Sequence, residues 1–488
     1  AAFGDNLNEA ARKAAEPLGL DSKTLEALAH FGVCINYNGY GATVEDLHFH
    51  PADLYRAFVK FEDPLDLIAS EPAAWQQLRA SSDLTPARCP PKPRGMWLDQ
   101  PRNPKDPLAG LKVLELARVL AGPWAGQILA DLGADVIKIE SPAGDGTRLW
   151  GPPWVEREEG DREAAYYHAA NRGKRSVVAD FKNADDLRRV SELAAGADVV
   201  LENFKTGTLE KWGIGHDVLS AKFPQLIHCR ISGFGADGPY GGLPGYDAIV
   251  QAQAGLMSVN GTPESGPLRL GIPIVDIATG ISAAFGIMSA VYERTKSGKG
   301  QFVEASLYDV ACSLLHPHAA NYFMGGKEPS LTGNAHPNIV PYDMFEAGDK
   351  QVFIGTGNDR QFQRLCKTIG AAELAEDPRF ATNATRKENT DALRTLLEEQ
   401  LKQFRAEDIC EKLMAAGVPA GPVNGIAAVF DNEHTKHREM LVEFDNYRGT
   451  GNPVKLSRTP AQINRKPPKF GEHNDEILGK PALAEQTD

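Results

Sequence analysis

From residue 111 onward the chain alternates short apolar segments with longer amphipathic ones, and this alternation restricts the fold more than any other feature. LKVLELA (111–117), DVIKIE (135–140), SVVADF (176–181), DVVLENF (198–204) and QLIHCRI (225–231) have the length and composition of strands. AGPWAGQILADLGA (121–134) and NADDLRRVSELAAGA (183–197) lie between them with helical spacing. Apolar strands separated by amphipathic helices imply an α/β fold with a mainly parallel sheet covered on both faces. Ligands of such folds bind beyond the carboxyl ends of the strands. The loops there are RVLAGP (118–123), ESPAGDGTRLWGPP (140–153) and ENFKTG (202–207).

The organisation around this unit follows from proline, glycine and helix signals. Residues 1–105 read as an N-terminal extension of short helices ending in ARCPPKPRGMWLDQPRNPKDP (87–107), whose prolines fix φ and remove donors as in an extended linker. DIATGISAAFGIMSAVYERTKS (276–297) is the longest helix, with cations near its carboxyl end and Gly298 to stop it. QFVEASL (301–307) is a further strand. The chain then becomes glycine-rich, and 326–430 reads as a smaller inserted domain.

The net charge of −13 argues against a general nucleic-acid or membrane-surface binder, because both partners are anionic. The six cysteines (Cys34, Cys89, Cys229, Cys312, Cys366, Cys410) show no CxxC spacing and read as reduced thiols. No stretch reads as a membrane span of about 20 apolar residues. The expected compartment is the cytoplasm, with the mitochondrial matrix as the alternative, since the chain starts at Ala1 without an initiator Met. GFGADG (233–238) satisfies the dinucleotide pattern GxGxxG, but PYGGLPG follows where a helix would have to start, so it reads as a loop. The HxH pairs His48/His50 and His316/His318 have no nearby ligand set to complete a metal site, and no metal is expected.

LAGLKVLELARVLAGPWAGQILADLGADVIKIE (108–140), NRGKRSVVADF, DVVLENFKTGTLEKWGIG, ISGFGADGPYGGLPGYDAIVQAQAGLM, IPIVDIATG, RTKSGKGQFVEASL, GVPAGPVNGI and GEHNDEIL together resemble the class III CoA-transferases, the CaiB/BaiF family. GDGTRLWGPPW, AHPNIVPYDMF and IGTGNDRQFQRLCKTIG look like its succinyl-CoA:dicarboxylate (glutarate) branch. The resemblance implies a Rossmann-like large domain built from 106–325 and 431–488, the small domain between them, and two protomers interlocked as a homodimer. It implies transfer of CoA from an acyl-CoA, succinyl-CoA in this branch, to a short (di)carboxylic acid. Coenzyme A thioesters are then substrates, and no permanently bound cofactor is expected.

Asp276 of IPIVDIATG matches the family's catalytic aspartate. Its place in the first turn of a long helix agrees, because the helix dipole favours the ionised, nucleophilic carboxylate. The competing reading is a plain N-cap. In the family this aspartate forms an acyl anhydride and then an aspartyl-CoA thioester, through oxyanions that need preorganised donors. The candidate donors are backbone N–H groups around Leu120 and Ala121 and around Gly325 and Gly326. By resemblance, Arg118, Asn203, Phe204, Lys211 and Tyr246 face CoA, and Lys174 and Arg175 add charge for its phosphates. Arg148 is the candidate for the distal carboxylate of a dicarboxylate, because its fork binds carboxylate in two-pronged fashion, with His336 assisting. Family racemases carry GHD where this chain has GYD (245–247). A tyrosine titrating near 10 is a poor base at neutral pH, so racemisation is the weaker alternative, together with a non-catalytic acyl-CoA-binding role.

Overall fold

The computed structural model describes Trp97, residues 103–157 and residues 162–479. The expected extension 1–105 therefore lies almost wholly outside the described residues, as do His48 and His50. Six strands form one parallel sheet: β1 (Lys112–Glu115), β2 (Asp135–Glu140), β3 (Arg175–Val178), β4 (Val199–Glu202), β5 (Ile227–Ser232) and β6 (Phe302–Ser306). Their spatial order is β6-β5-β4-β1-β2-β3. The direction of winding reverses between β1 and β4, and the crevice above such a switch point is where open α/β sheets hold ligands.

Helices α1 (Ala121–Asp131), α2 (Ala184–Gly196), α3 (Asp247–Gln253), α4 (Ile274–Ser297) and α5 (His318–Gly325) follow in chain order. On one face Val113, Val136, Leu201 and Ile231 pack with Ala125 and Leu129 of α1 and with Val275, Ala283 and Ile287 of α4. On the other, Leu114, Ile137 and Val200 pack with Trp97 and with Val190 and Leu193 of α2. Burial of each larger aliphatic side chain is favourable by about 1.5–3 kcal/mol. α1 and α4 touch so closely that a Cβ on Gly280 would lie 2.7 Å from the Ala121 carbonyl oxygen. After β5 the GFGADG segment stays a loop until α3 begins, and Gly233 packs where a Cβ would meet the Gly245 nitrogen at 2.6 Å.

The sequence reading missed one apolar helix of membrane-spanning length. α4 is long and apolar enough, by length and composition, to cross a membrane. Its alanines and glycines hid this in the sequence, and Ala283, Ala284, Ile287 and Ala290 place it against the sheet as a core helix.

A second core lies between the two stretches of the large unit. Strands β7 (Tyr342–Glu346), β8 (Gln351–Gly355) and β9 (Ala420–Pro422) form an antiparallel sheet. Phe362, Leu365, Leu397 and Leu413 bury against it. The chain then returns along β3: the Gly173 N–H donates to the Arg465 carbonyl at 3.0 Å, and the His473 N–H to the Ser176 carbonyl at 3.0 Å. The four described cysteines are free.

Buried charge gathers along the strands β1, β2 and β3, and it corrects three expectations. Lys174 is fully buried, 2.9 Å from Glu115, with its Nζ also donating to the Pro123 carbonyl and the Asn171 side chain. Burial pushes its pKa down to about 8, although Glu115 pulls the other way. Arg175 is paired with Asp135 and Glu476. Both cations are buried and bound to carboxylates of the fold itself. Arg148 is also spent. Its Nε and Nη2 donate to the two Glu140 oxygens at 2.8 and 2.7 Å, Nη2 also reaches the Tyr167 hydroxyl, and Nη1 binds Glu163. With Nη1 also reaching the Pro468 carbonyl at 3.4 Å, all five N–H groups are engaged within the fold. A strand position followed by a proline-closed loop marks the edge of the sheet, but not whether the guanidinium turns outward or back to Glu140.

Removing one partner of such a buried set leaves uncompensated charge and costs about 3–5 kcal/mol. Arg148→Ala should therefore lower the thermal unfolding midpoint by several degrees, and Arg148→Lys, which keeps charge without the fork, should recover only part of that loss. Wild-type stability in both variants would contradict this placement.

Candidate active site

Asp276 is the third residue of α4, not its N-cap. That role falls to Pro273, which offers no side-chain bond. The orphan N–H groups of the first turn are taken instead by Asp247, 29 positions earlier, at the start of α3. Its Oδ2 accepts from the Val275 N–H at 2.8 Å and from the Asp276 N–H at 3.3 Å. Its Oδ1 accepts from Gln251 Nε2 at 2.6 Å, and Gln251 Oε1 accepts from the Leu270 N–H at 2.9 Å. The approach to Asp276 is thus held at both ends. Burial, and then the charge of Asp247, push the Asp276 carboxyl up to about 7. The helix dipole favours the ionised form, as expected, and these two effects oppose it.

One turn beyond Asp276, Gly280 packs on Ala121 and so brings the loop 117–123 beside it. Buried side chains grip this loop by its backbone. Lys138 Nζ donates to the Ala117 carbonyl at 2.7 Å. Asn203 accepts from the Arg118 N–H at 2.9 Å and donates to its carbonyl at 2.7 Å. Both Asp145 oxygens accept from the Val119 N–H, at 3.3 and 3.2 Å, and Lys174 holds the Pro123 carbonyl at 2.8 Å. Val119 has φ of 71°, a left-handed conformation that a β-branched residue rarely adopts. Gly122 is required here, because a Cβ would meet Ala117 Cβ at 2.3 Å. No side chain caps α1 and Pro123 has no N–H, so Leu120, Ala121 and Gly122 carry the loop's remaining N–H groups.

Beside the loop, at the switch point, the exposed Arg118 stacks over the Phe204 ring at 5.9 Å, and Phe181 and Trp212 back that ring edge-on or tilted. The Asn203 amide clamps the Arg118 backbone with its oxygen and one of its two N–H groups. Lys211 is exposed at the end of the following turn. Tyr246 is exposed, one residue before Asp247. Gly325 and Gly326 are exposed where α5 ends, with Gly326 at φ 63°. His336 lies close enough to His318 for its charge, after burial, to lower the His318 pKa, and Asn321 bonds Asn338 at 2.9 Å. Among the described residues no group of three or more His, Cys, Asp or Glu side chains could hold a metal ion.

Three contributors escaped the sequence reading. Asp247 and Asp145 act through backbone groups far away in sequence. Tyr166 lies near Asp276 and Asp247, whose charges, after burial, raise its pKa, and it meets Trp150 edge-on at 5.2 Å. Only the glycine-rich turn before Asp247 hinted at a helix start there.

A half-buried carboxylate at a helix start, beside a loop with unused N–H groups and a cation–aromatic platform, suits covalent chemistry on an activated acyl group. The model of CoA-transferase family III matches residues 108–474. The chain is 43% identical over 392 residues to a succinate–glutarate CoA-transferase of Agrobacterium fabrum, covering 79% of this chain and 98% of that protein. It is 36% identical to the succinyl-CoA:glutarate CoA-transferase of Homo sapiens over 79% of this chain and 89% of the relative. A crystal structure of a CaiB/BaiF family protein from Brucella suis superposes with a TM-score of 0.70 at 47% identity, covering 76% of this chain and 98% of that one. The chain belongs to CoA-transferase family III, the CaiB/BaiF family, and is a CoA-transferase.

Proposed function

We propose that the enzyme moves CoA from succinyl-CoA to glutarate or a similar short dicarboxylate, with Asp276 as the nucleophile. The observation that carries this reading is Asp276 itself, a half-buried carboxylate one helical turn from the gripped loop 117–123. The names of the relatives at 43% and 36% identity support the substrate class.

In the first half-reaction an Asp276 oxygen attacks the thioester carbonyl, the C–S bond breaks, and CoA leaves as thiolate. The thiolate then attacks the aspartyl carbonyl of the anhydride and releases succinate. The acceptor carboxylate attacks the resulting aspartyl-CoA thioester, CoA thiolate leaves, and its return to the new acyl carbonyl restores Asp276. No net proton moves. Each attack places negative charge on a carbonyl oxygen, and the N–H groups of Leu120 and Ala121, which have no bond of their own, supply donors for it in this reading. Arg118 and Phe204 offer a stacking platform for the adenine of CoA, with Lys211 near its phosphates. Gly325 and Gly326 remain candidates for further oxyanion donors, Tyr246 for a contact to CoA and His336 for a contact to the acid.

We further read two copies as the working unit. α4 leaves Ile281 53%, Phe285 75% and Tyr292 64% exposed. Apolar groups of that size on a helix that already packs one side on its own sheet call for a partner.

Asp276→Ala should reduce transfer below about a hundredth of wild type while CoA still binds, because a lost covalent nucleophile raises the barrier by several kcal/mol. Greater residual turnover would contradict the mechanism. The attacking form is the carboxylate, so kcat/KM for succinyl-CoA should fall as pH drops through about 7. Asp247→Asn removes the second cause of the shift and leaves the larger one, burial. The acid limb should move to lower pH yet stay above the ordinary carboxylate range, and an unmoved limb would refute the coupling.

A further inference from the structure

The loop that carries the unused N–H groups does not hold its shape by its own sequence. Val119 sits at φ 71°, in a region that costs a β-branched residue free energy unless surrounding structure enforces it. The enforcing group is Asp145, which is buried and accepts the Val119 N–H with both oxygens. Asp145 is fixed in turn. Lys138 lies 3.0 Å from Oδ2, and the Thr147 N–H and hydroxyl reach Oδ1 at 3.1 and 2.8 Å. Its own N–H donates to Glu140 at 3.0 Å. Burial works against the Asp145 charge, but Lys138 and the Thr147 donors more than offset it, so the carboxylate is held below its usual range.

We propose that Asp145 is a positioning residue for the transfer reaction: its grip on the Val119 N–H turns the next residues so that the N–H groups of Leu120 and Ala121 face the carbonyl attacked by Asp276. This rests on the reading of those N–H groups as oxyanion donors. Val119 is the last residue before them, and a reversed φ at Val119 changes the direction of the Leu120 N–H. The other grips, by Lys138 on Ala117 and by Asn203 on Arg118, lie upstream of that turn and set where the loop starts. Lys174 holds the Pro123 carbonyl downstream of it, and the Asp145 bond is the one made at the turn itself.

The test is steady-state kinetics with succinyl-CoA and glutarate on three changes. Asp145→Asn keeps the shape but loses the charge and one acceptor. It should lower kcat at least tenfold while KM for succinyl-CoA stays within about threefold, since a displaced oxyanion donor costs turnover and not ground-state binding. Val119→Gly introduced into Asp145→Asn should recover much of the lost kcat, because glycine adopts the left-handed turn without enforcement. A merely structural Asp145 would not be rescued there, so absence of rescue, or a loss confined to KM, overturns the proposal. If Asp145→Asn does not fold, Thr147→Val, which removes only the hydroxyl that orients Oδ1, carries the same test with a smaller kcat loss of about three- to tenfold. Replacing Leu120 or Ala121 by its α-hydroxy acid, which exchanges N–H for oxygen, separates the two layers. Wild-type kcat in both ester variants refutes the oxyanion reading itself. A loss there without any loss in Asp145→Asn refutes only the role of Asp145.

Discussion

Lys138 has no contact with solvent, and the carboxyl edge of the sheet is arranged around it. Its Nζ meets Glu115 of β1 at 3.2 Å, Asp145 at 3.0 Å and the Ala117 carbonyl at 2.7 Å. Burial alone would strip the charge from such a lysine. Asp145, Glu115 and Glu140 reverse that effect and raise its pKa. The network continues through Glu115 to Lys174 and through Glu140 to Arg148 and Glu163. Ion pairs of this kind are weak evidence for stability, since the desolvation of each charge offsets the attraction. What they supply is direction: Lys138 and Lys174 end on backbone carbonyls of the loop after β1, and Asp145 ends on its Val119 N–H.

The second constraint is the meeting of Asp247 and Asp276 at the start of α4. A helix start favours negative charge, and here it receives two carboxylates, one bonded to the N–H groups and one left to react. The bonded one denies its partner those donors, and its charge, added to burial, brings Asp276 near neutrality. A carboxylate that gives up its proton near pH 7 is more basic than a surface aspartate and so a better nucleophile. The fold stores this at a cost in stability as pH rises from the ordinary aspartate range to about 7, where the folded state must release a proton it holds more tightly than the unfolded chain does.

Much of the large unit was legible in the sequence because its strands are short apolar runs with helices of clear period between them. DVIKIE became β2 without a change of boundary, and Asn183, the first residue of NADDLRR, caps α2 as its type suggests. Asp276 was legible from the helix that follows it, although that helix starts two residues earlier than its spacing indicated. The cations were not. Lys174, Arg175 and Arg148 occupy loop and edge positions that would suit phosphate or carboxylate binding, and their partners Glu115, Asp135 and Glu140 lie 59, 40 and 8 residues away. Residue type cannot tell a solvent-facing guanidinium from one folded back on a carboxylate. The cap from Asp247 and the grip of Asp145 on Val119 were hidden for the same reason, because each is a bond between distant segments that only the packed sheet brings together.

The central claim is that the acyl group and then CoA pass through a covalent bond to Asp276. The most direct measurement is mass spectrometry of peptides after the enzyme is incubated with succinyl-CoA in the presence of hydroxylamine, which cleaves an anhydride or thioester on a carboxylate and leaves a hydroxamate. The account predicts the hydroxamate on Asp276, formed only when succinyl-CoA is present. Modification of a different carboxylate, or continued transfer with Asp276 unmodified, would contradict it.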